Sequence, residues 1–234
     1  MTNYVLVAGA WLGAWAWDEV AEDLWAAGHE VRALTLSGLA ERSGVPAGQR
    51  THVEDIVSEV ERADLRDVVL VGHSYSGVPV GQAAERIGER LRRVVFVDAN
   101  VPVDGESFLD AWPSEQVVRS IEENDGFWPP PGADRYAGED LTEEQIARLV
   151  AHGTPHPGAT LTEPAVLARP LGDLPATYVE CLREGDAPSP WLAELLRGER
   201  WEWVRLATGH WPMLSRPAEL AGVLAEAGRG TPSA

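Results

Sequence analysis

Val68-Val-Leu-Val-Gly-His-Ser-Tyr-Ser-Gly77 is the stretch on which the fold turns. Its first four residues are all apolar, as in a strand buried on both faces of a parallel sheet. From Gly77 to about residue 87 the spacing predicts a helix, with Pro79 tolerated in its first turn. Between them, Gly72-His-Ser-Tyr-Ser-Gly77 is a strand-to-helix turn of mostly small residues, with Ser74 at its apex. A serine so placed exposes its hydroxyl above the sheet, as a nucleophile does. Gly72 fits the G-x-S-x-G pattern. Ser76 stands where its last glycine is expected, and is small enough to pass.

The flanking sequence alternates strand and helix. Upstream, Tyr4-Val-Leu-Val-Ala8 reads as a buried strand, 14–27 as a helix closed by Gly28, and 30–36 as a second strand. A Gly/Ser/Pro-rich loop runs to about residue 50. Thr51-His-Val-Glu54 then reads as a capping box, followed by Val53, Ile56, Val57 and Val60 at helical spacing. Downstream, Arg93-Val-Val-Phe-Val97 is a fourth strand. Such alternation implies parallel pairing through right-handed crossovers.

The alternation stops after Val103. Helical patterns near 114–121 and 142–150 flank Trp128-Pro-Pro-Pro-Gly132, which cannot be a core strand. Strands are expected again at 176–181 and 201–206, with a short helix near 191–196 between them. Ser215 and Pro217 open a last helix to about residue 227, before a frayed tail over 228–234. The expected architecture is a doubly wound, mainly parallel α/β sheet. Its core comprises 1–102 and 171–234, and 103–170 form an inserted helical cap over the carboxyl edge.

Composition narrows the function. The 234 residues carry 19 basic and 37 acidic side chains, a net charge of −18 that disfavours nucleic acid and anionic membrane. Every basic residue is arginine, and without lysine there is no Schiff-base or pyridoxal-phosphate chemistry. The single cysteine, Cys181, excludes an internal disulfide framework and a Cys-rich zinc site. No apolar run approaches the ~18 residues of a membrane span. A strand pattern beginning at Tyr4 leaves no room for a secretory leader, so a cytoplasmic protein is expected.

A serine hydroxyl needs a base. Of the six histidines, His210 in Ala207-Thr-Gly-His-Trp-Pro-Met-Leu214 follows the last strand. In a parallel sheet that loop opens on the same edge as Ser74. His29 reads as a helix-end connector, His52 as part of a solvated helix start, and His73 as too local to reach its neighbour's hydroxyl. His152 and His156 fall in the cap, where a solvated loop is the commoner setting. An oxyanion hole needs backbone donors. The Tyr75 amide is one, and the Ala10 amide, after Gly9 in the first strand's loop, is the natural second.

These residues resemble the α/β-hydrolase superfamily, and within it the branch of plant methyl esterases, salicylate-esterase-like bacterial hydrolases and hydroxynitrile lyases. The likeness rests on Val5-Leu-Val-Ala-Gly-Ala-Trp-Leu-Gly-Ala-Trp15, Leu34-Thr-Leu-Ser-Gly-Leu-Ala-Glu-Arg42, Gly72–Gly77 and Gly209-His-Trp-Pro-Met-Leu-Ser-Arg-Pro217. It implies a two-step acyl transfer by Ser74 and His210, with no metal or organic cofactor. The opening departs from the usual His-Gly, since Ala8 precedes Gly9. Lyases of the branch usually carry threonine where Gly9 stands and lysine after the histidine, where this chain has Trp211. Ester hydrolysis is therefore favoured.

The acid has two candidate places in hydrolases of this type. The commoner is the loop after strand 176–181, where Glu184 or Asp186 stands. The other is Asp98 in Phe96-Val-Asp-Ala-Asn-Val-Pro102, which resembles the strand end bearing the acid in one group of haloalkane dehalogenases. Asp98 is preferred, because it leaves a rigid apolar strand directly.

Ten tryptophans are many for this length. Trp11, Trp112, Trp128 and Trp211 fall near the expected site and are candidate pocket walls, whereas Trp15, Trp17 and Trp25 are expected to pack. A small molecule is the expected partner, a bulky aromatic or polycyclic ester or lactone, with a homodimer left open. A non-hydrolytic protein on the same fold, whether lyase-like, cyclase-like or a binder, is the alternative, because fold alone does not fix function. A cofactor-free haloperoxidase would keep the same residues.

Overall fold

A computed structural model describes residues 1–187, 189–191 and 200–229. Six parallel strands form the sheet: β1 (Asn3–Val7), β2 (Glu30–Leu34), β3 (Val68–His73), β4 (Leu91–Val97), β7 (Ala176–Cys181) and β8 (Trp201–Leu206), in the order β2-β1-β3-β4-β7-β8. Alternate residues of each strand face opposite sides, and this builds two cores. Val5, Leu70, Val94 and Phe96 pack with Ile56 and Val60 of α2 (Gln49–Arg62) and Val80 and Ala84 of α3 (Gly77–Arg86). Tyr4, Leu6, Val69, Val71 and Val95 pack with Val20 and Leu24 of α1 (Asp18–Ala26) and with the C-terminal helix Pro217–Arg229. The sheet is thus doubly wound. Its order reverses between β1 and β3, and a crevice opens there at the carboxyl ends.

Several local expectations need correction. α2 begins at Gln49, not at a Thr51 cap; Gly48 is the N-cap, and its N–H donates to Thr51 Oγ1 at 3.3 Å. His52 is fully buried rather than solvated, because the earlier start turns it inward. The helix expected over 14–27 opens as a 3-10 turn, Ala14–Trp17, before α1. Trp17 is buried as expected, but Trp25 lies on the outer face, 53% exposed. The helix expected near 191–196 lies almost wholly outside the described residues. The C-terminal helix continues through Arg229, and 230–234 are outside the description.

Residues 103–170 contain α4 (Phe108–Ala111), α5 (Glu115–Glu123), α6 (Glu143–His152) and α7 (Ala159–Thr162). Ser114 and Thr142 cap α5 and α6, each accepting a backbone N–H three residues on. Between these helices two-residue strands pair antiparallel, β5 (Phe127–Trp128) with β6 (His156–Pro157). Strands so short carry no periodic signal, and the three prolines after Trp128 end β5 at once. No helix among the described residues is long and apolar enough to cross a membrane.

Ser76 explains its own departure from glycine. Its hydroxyl accepts the His73 N–H at 2.9 Å and lies 2.8 Å from the Val7 carbonyl, so it ties the turn after β3 to the end of β1. The group is wholly buried. Ser76→Ala is expected to lower unfolding free energy in urea by about 1–3 kcal/mol, the cost of leaving buried partners unmade. A change under ~0.5 kcal/mol would show that Ser76 serves only by its size.

Candidate active site

The turn Ser74–Ser76 carries β3 into α3, and Ser74 itself sits in the left-handed region at φ 54°. Such a conformation in a residue with a Cβ is uncommon and marks a backbone held by its surroundings. A Cβ on Gly72 would lie 2.9 Å from Val80, so α3 packs too close for a larger residue. The Ser74 carbonyl accepts the Asn100 N–H at 3.1 Å, binding the turn to the loop after β4.

His210 reaches the same point from the loop after β8. Its Nε2 is 2.9 Å from Ser74 Oγ, and its Nδ1 is 2.5 Å from Asp98 Oδ2. The chain therefore runs hydroxyl, imidazole, carboxylate, with Nδ1–H donated to Asp98 and Nε2 left to accept the serine proton. Asp98 leaves β4 at φ 44°, and its N–H extends the ladder to Val179 O at 2.8 Å. Its other oxygen accepts the Cys181 N–H at 3.4 Å. Glu184 and Asp186 are exposed and do not enter this chain; Asp186 closes its own turn on the Arg183 N–H at 2.9 Å.

His73 does point away from the Ser74 hydroxyl. Its Nε2–H donates to the His210 carbonyl at 2.7 Å, while the His210 N–H donates to Glu139 Oε2 at 3.0 Å. His210 is thus held by both main-chain groups. Neither tether was legible in the sequence: His73 is a neighbour of Ser74 whose distant partner depends on folding, and Glu139 lies in a charged stretch without periodicity.

On the opposite side, Gly9-Ala10-Trp11 leaves β1 against the turn. A Cβ on Gly9 would lie 2.8 Å from His73 Nδ1 and 2.9 Å from Ser74 Cβ, so only glycine allows this approach. Ala10 and Tyr75 both line the cleft beside Ser74. The Tyr75 ring is buried, and its hydroxyl donates to His52 Nδ1 at 2.9 Å while His52 Nε2–H donates to the Ser37 carbonyl at 2.8 Å.

The cleft above Ser74 holds about 260 Å³. Trp11, Trp112, Trp128 and Trp211 all line it. Trp11 packs on Trp128 with ring centroids 4.1 Å apart, and Trp128 approaches Trp112 at 6.2 Å. The polar wall comes from Asn100, Arg135 and Glu139. The Arg135 side chain makes no hydrogen bond or ion pair among the described residues, and its N–H donates to the Gly132 carbonyl at 3.1 Å. No group of three or more His, Cys, Asp or Glu side chains among them is arranged to hold a metal ion.

The chain matches the model of the alpha/beta hydrolase family over residues 4–223. It is 33% identical to a carbendazim hydrolyzing esterase of Nocardioides sp. (strain SG-4G), covering 97% of this chain and all of that protein. It is 26% identical to the polyneuridine aldehyde esterase of Rauvolfia serpentina, over 95% of this chain and 94% of that one. An extracellular α/β-hydrolase from a Paenibacillus species superposes with a TM-score of 0.84 at 22% identity, over 98% of this chain and 100% of that one. The chain belongs to the α/β-hydrolase family, in the branch that holds the plant methyl esterases. Within it, this chain is an ester-cleaving hydrolase.

Three histidines around the site are buried and neutral. Burial lowers His73 to about 3 and His52 to about 4, and it drives His156 well below the usual range. In the unfolded chain each returns to the ~6.5 of free imidazole. Below that pH the unfolded state binds more protons, so stability falls as pH drops from ~6.5 toward the folded values. Each contributes a slope approaching ~1.4 kcal/mol per pH unit. Urea midpoints should therefore drop clearly between pH 7.5 and 5; a flat profile would contradict neutral burial.

Proposed function

We propose that the protein cleaves a carboxylic ester or lactone of a bulky aromatic small molecule through an acyl-enzyme on Ser74. The observation that carries this is the continuous Ser74–His210–Asp98 hydrogen-bond chain at the floor of a tryptophan-lined cleft. His210 Nε2 takes the serine proton as Oγ attacks the carbonyl carbon. Asp98 steadies the imidazolium that forms. The Ala10 and Tyr75 amides face the oxygen on which charge develops. The imidazolium then protonates the leaving alcohol. A water molecule, deprotonated by the same nitrogen, attacks the acyl carbon and frees the acid and Ser74.

The aromatic walls support the substrate class. A flat acyl or alcohol group stacks between Trp11 and Trp112 in a cleft too small for a macromolecular chain. The esterase relatives support ester chemistry over the lyase-like alternative, and Trp211 offers no cation for a cyanide leaving group.

Turnover of a panel of chromogenic aryl esters and lactones tests the reading. A serine-directed phosphonate should add one label at Ser74, and Ser74→Ala should abolish both label and turnover. Label that persists in the variant would sink the assignment. Asp98→Asn should cut kcat by about 10⁴-fold, as neutralising a triad acid does. Glu184→Gln should stay near wild type, and the reverse ranking would move the acid to the β7 loop.

A further inference from the structure

Trp11 is held in a conformation it would not adopt alone. Its φ is 67°, in the left-handed region, where a bulky side chain is a genuine outlier. It directly follows Ala10, so fixing its main chain restrains the Ala10 backbone at the edge of the cleft. Its N–H, carbonyl and indole are all bonded, and all to one place. Its N–H donates to His156 Nδ1 at 3.4 Å, and its carbonyl accepts the Thr154 N–H at 3.0 Å. Its indole Nε1–H donates to the Trp128 carbonyl at 3.1 Å. Trp128 and His156 are cross-strand partners in the β5–β6 pair.

His156 is the partner whose chemistry must be set for this to work. It is wholly buried, and its Nε2–H donates to Thr160 Oγ1 at 2.8 Å. The Thr160 hydroxyl is in turn committed to the Pro157 carbonyl at 2.6 Å. That relay keeps the proton on Nε2 and leaves Nδ1 with a free lone pair for Trp11. The same ring packs edge-on against Tyr75, with centroids 4.5 Å apart. One imidazole therefore braces both residues beside the nucleophile: the one that follows Ala10 and the one that follows Ser74.

We propose that His156 is a positioning residue of the oxyanion hole, acting through Trp11 and Tyr75 rather than on the substrate. This rests on the acyl-transfer reading of Ser74. The consequence is that the hole is completed only when the β5–β6 pair is in place, so the segment that walls the cleft also arms the chemistry. A hole that is aimed only in the transition state affects kcat more than substrate affinity.

The test compares His156→Leu, which removes the acceptor, with His156→Asn, whose Oδ1 can stand where Nδ1 does. Both are measured on a chromogenic aryl ester, with Ser74→Ala alongside and circular dichroism melts to verify folding. His156→Leu should lose about 10–100-fold in kcat, less than the ~10²–10³ for deleting an oxyanion donor outright. KM should stay within ~3-fold, and phosphonate labelling should slow in parallel. His156→Asn should recover most of the loss. Unchanged kcat in the leucine variant would overturn the proposal. So would an asparagine variant no better than leucine at equal melting temperature, because the ring would then matter only as packing. Should His156→Leu fail to fold, Thr160→Val removes the relay that fixes the tautomer. It should lower kcat at constant KM, and a wild-type kcat there counts against the proposal. Activity surviving in Ser74→Ala would instead overturn the acyl-transfer reading itself.

Discussion

Ser74 in the left-handed region at the end of β3 is the constraint around which the molecule is arranged. For a residue with a Cβ this conformation costs of order 1–3 kcal/mol, and it persists only where neighbours over-determine it. Here they do. Gly72 lets α3 close in behind the turn, Ser76 ties it to β1, and Asn100 ties it to the loop after β4. What the strain provides is exposure: the hydroxyl stands clear of the sheet, with the amide that follows it at the start of a helix. Two of these bonds join the turn to other parts of the sheet, β1 and the loop after β4. Ser74 is therefore set by the sheet as a whole rather than by its own loop.

The same economy governs the other groups. Asp98, directly after β4, and Trp11, in the loop after β1, also lie at positive φ. Each leaves its strand sharply enough to turn inward over the carboxyl edge. The parallel sheet brings those ends together, since every strand finishes on the same side. Hydrogen bonds then remove the remaining freedom. His210 is gripped at both main-chain groups, Trp11 at its N–H, its carbonyl and its indole. Preorganisation of this kind is what lets backbone amides stabilise developing charge without rearranging during the reaction.

Buried histidines recur as the means of bracing. His52, His73 and His156 each bond through one nitrogen to a fixed acceptor, and burial keeps each ring neutral. A neutral imidazole suits this place because it can donate and accept at once. The arrangement explains why these histidines look unremarkable in sequence yet surround the site.

The sequence by itself determined the sheet, the turn at Ser74 and the approach of His210. Buried strands are continuous apolar runs, helices repeat at 3.6 residues, and parallel topology puts every βα loop on one edge. Those signals are local, and they sufficed to place Gly9, Ala10, Ser74, Tyr75 and His210 together. Choosing Asp98 before Glu184 also used local information, a carboxylate leaving a rigid strand against one in a charged loop. What only the tertiary structure decided is what depends on partners distant in the chain. His52 looked solvated because its burial comes from an earlier helix start and from Ser37 and Tyr75. His156 looked like a loop residue because β5 and β6 are two residues each, too short for any periodicity. His73 and Glu139 gained their roles from a carbonyl and an amide of His210, groups that every residue possesses. Backbone partners leave no mark in composition or spacing, so the residues that aim the chemistry become visible only once the chain has folded.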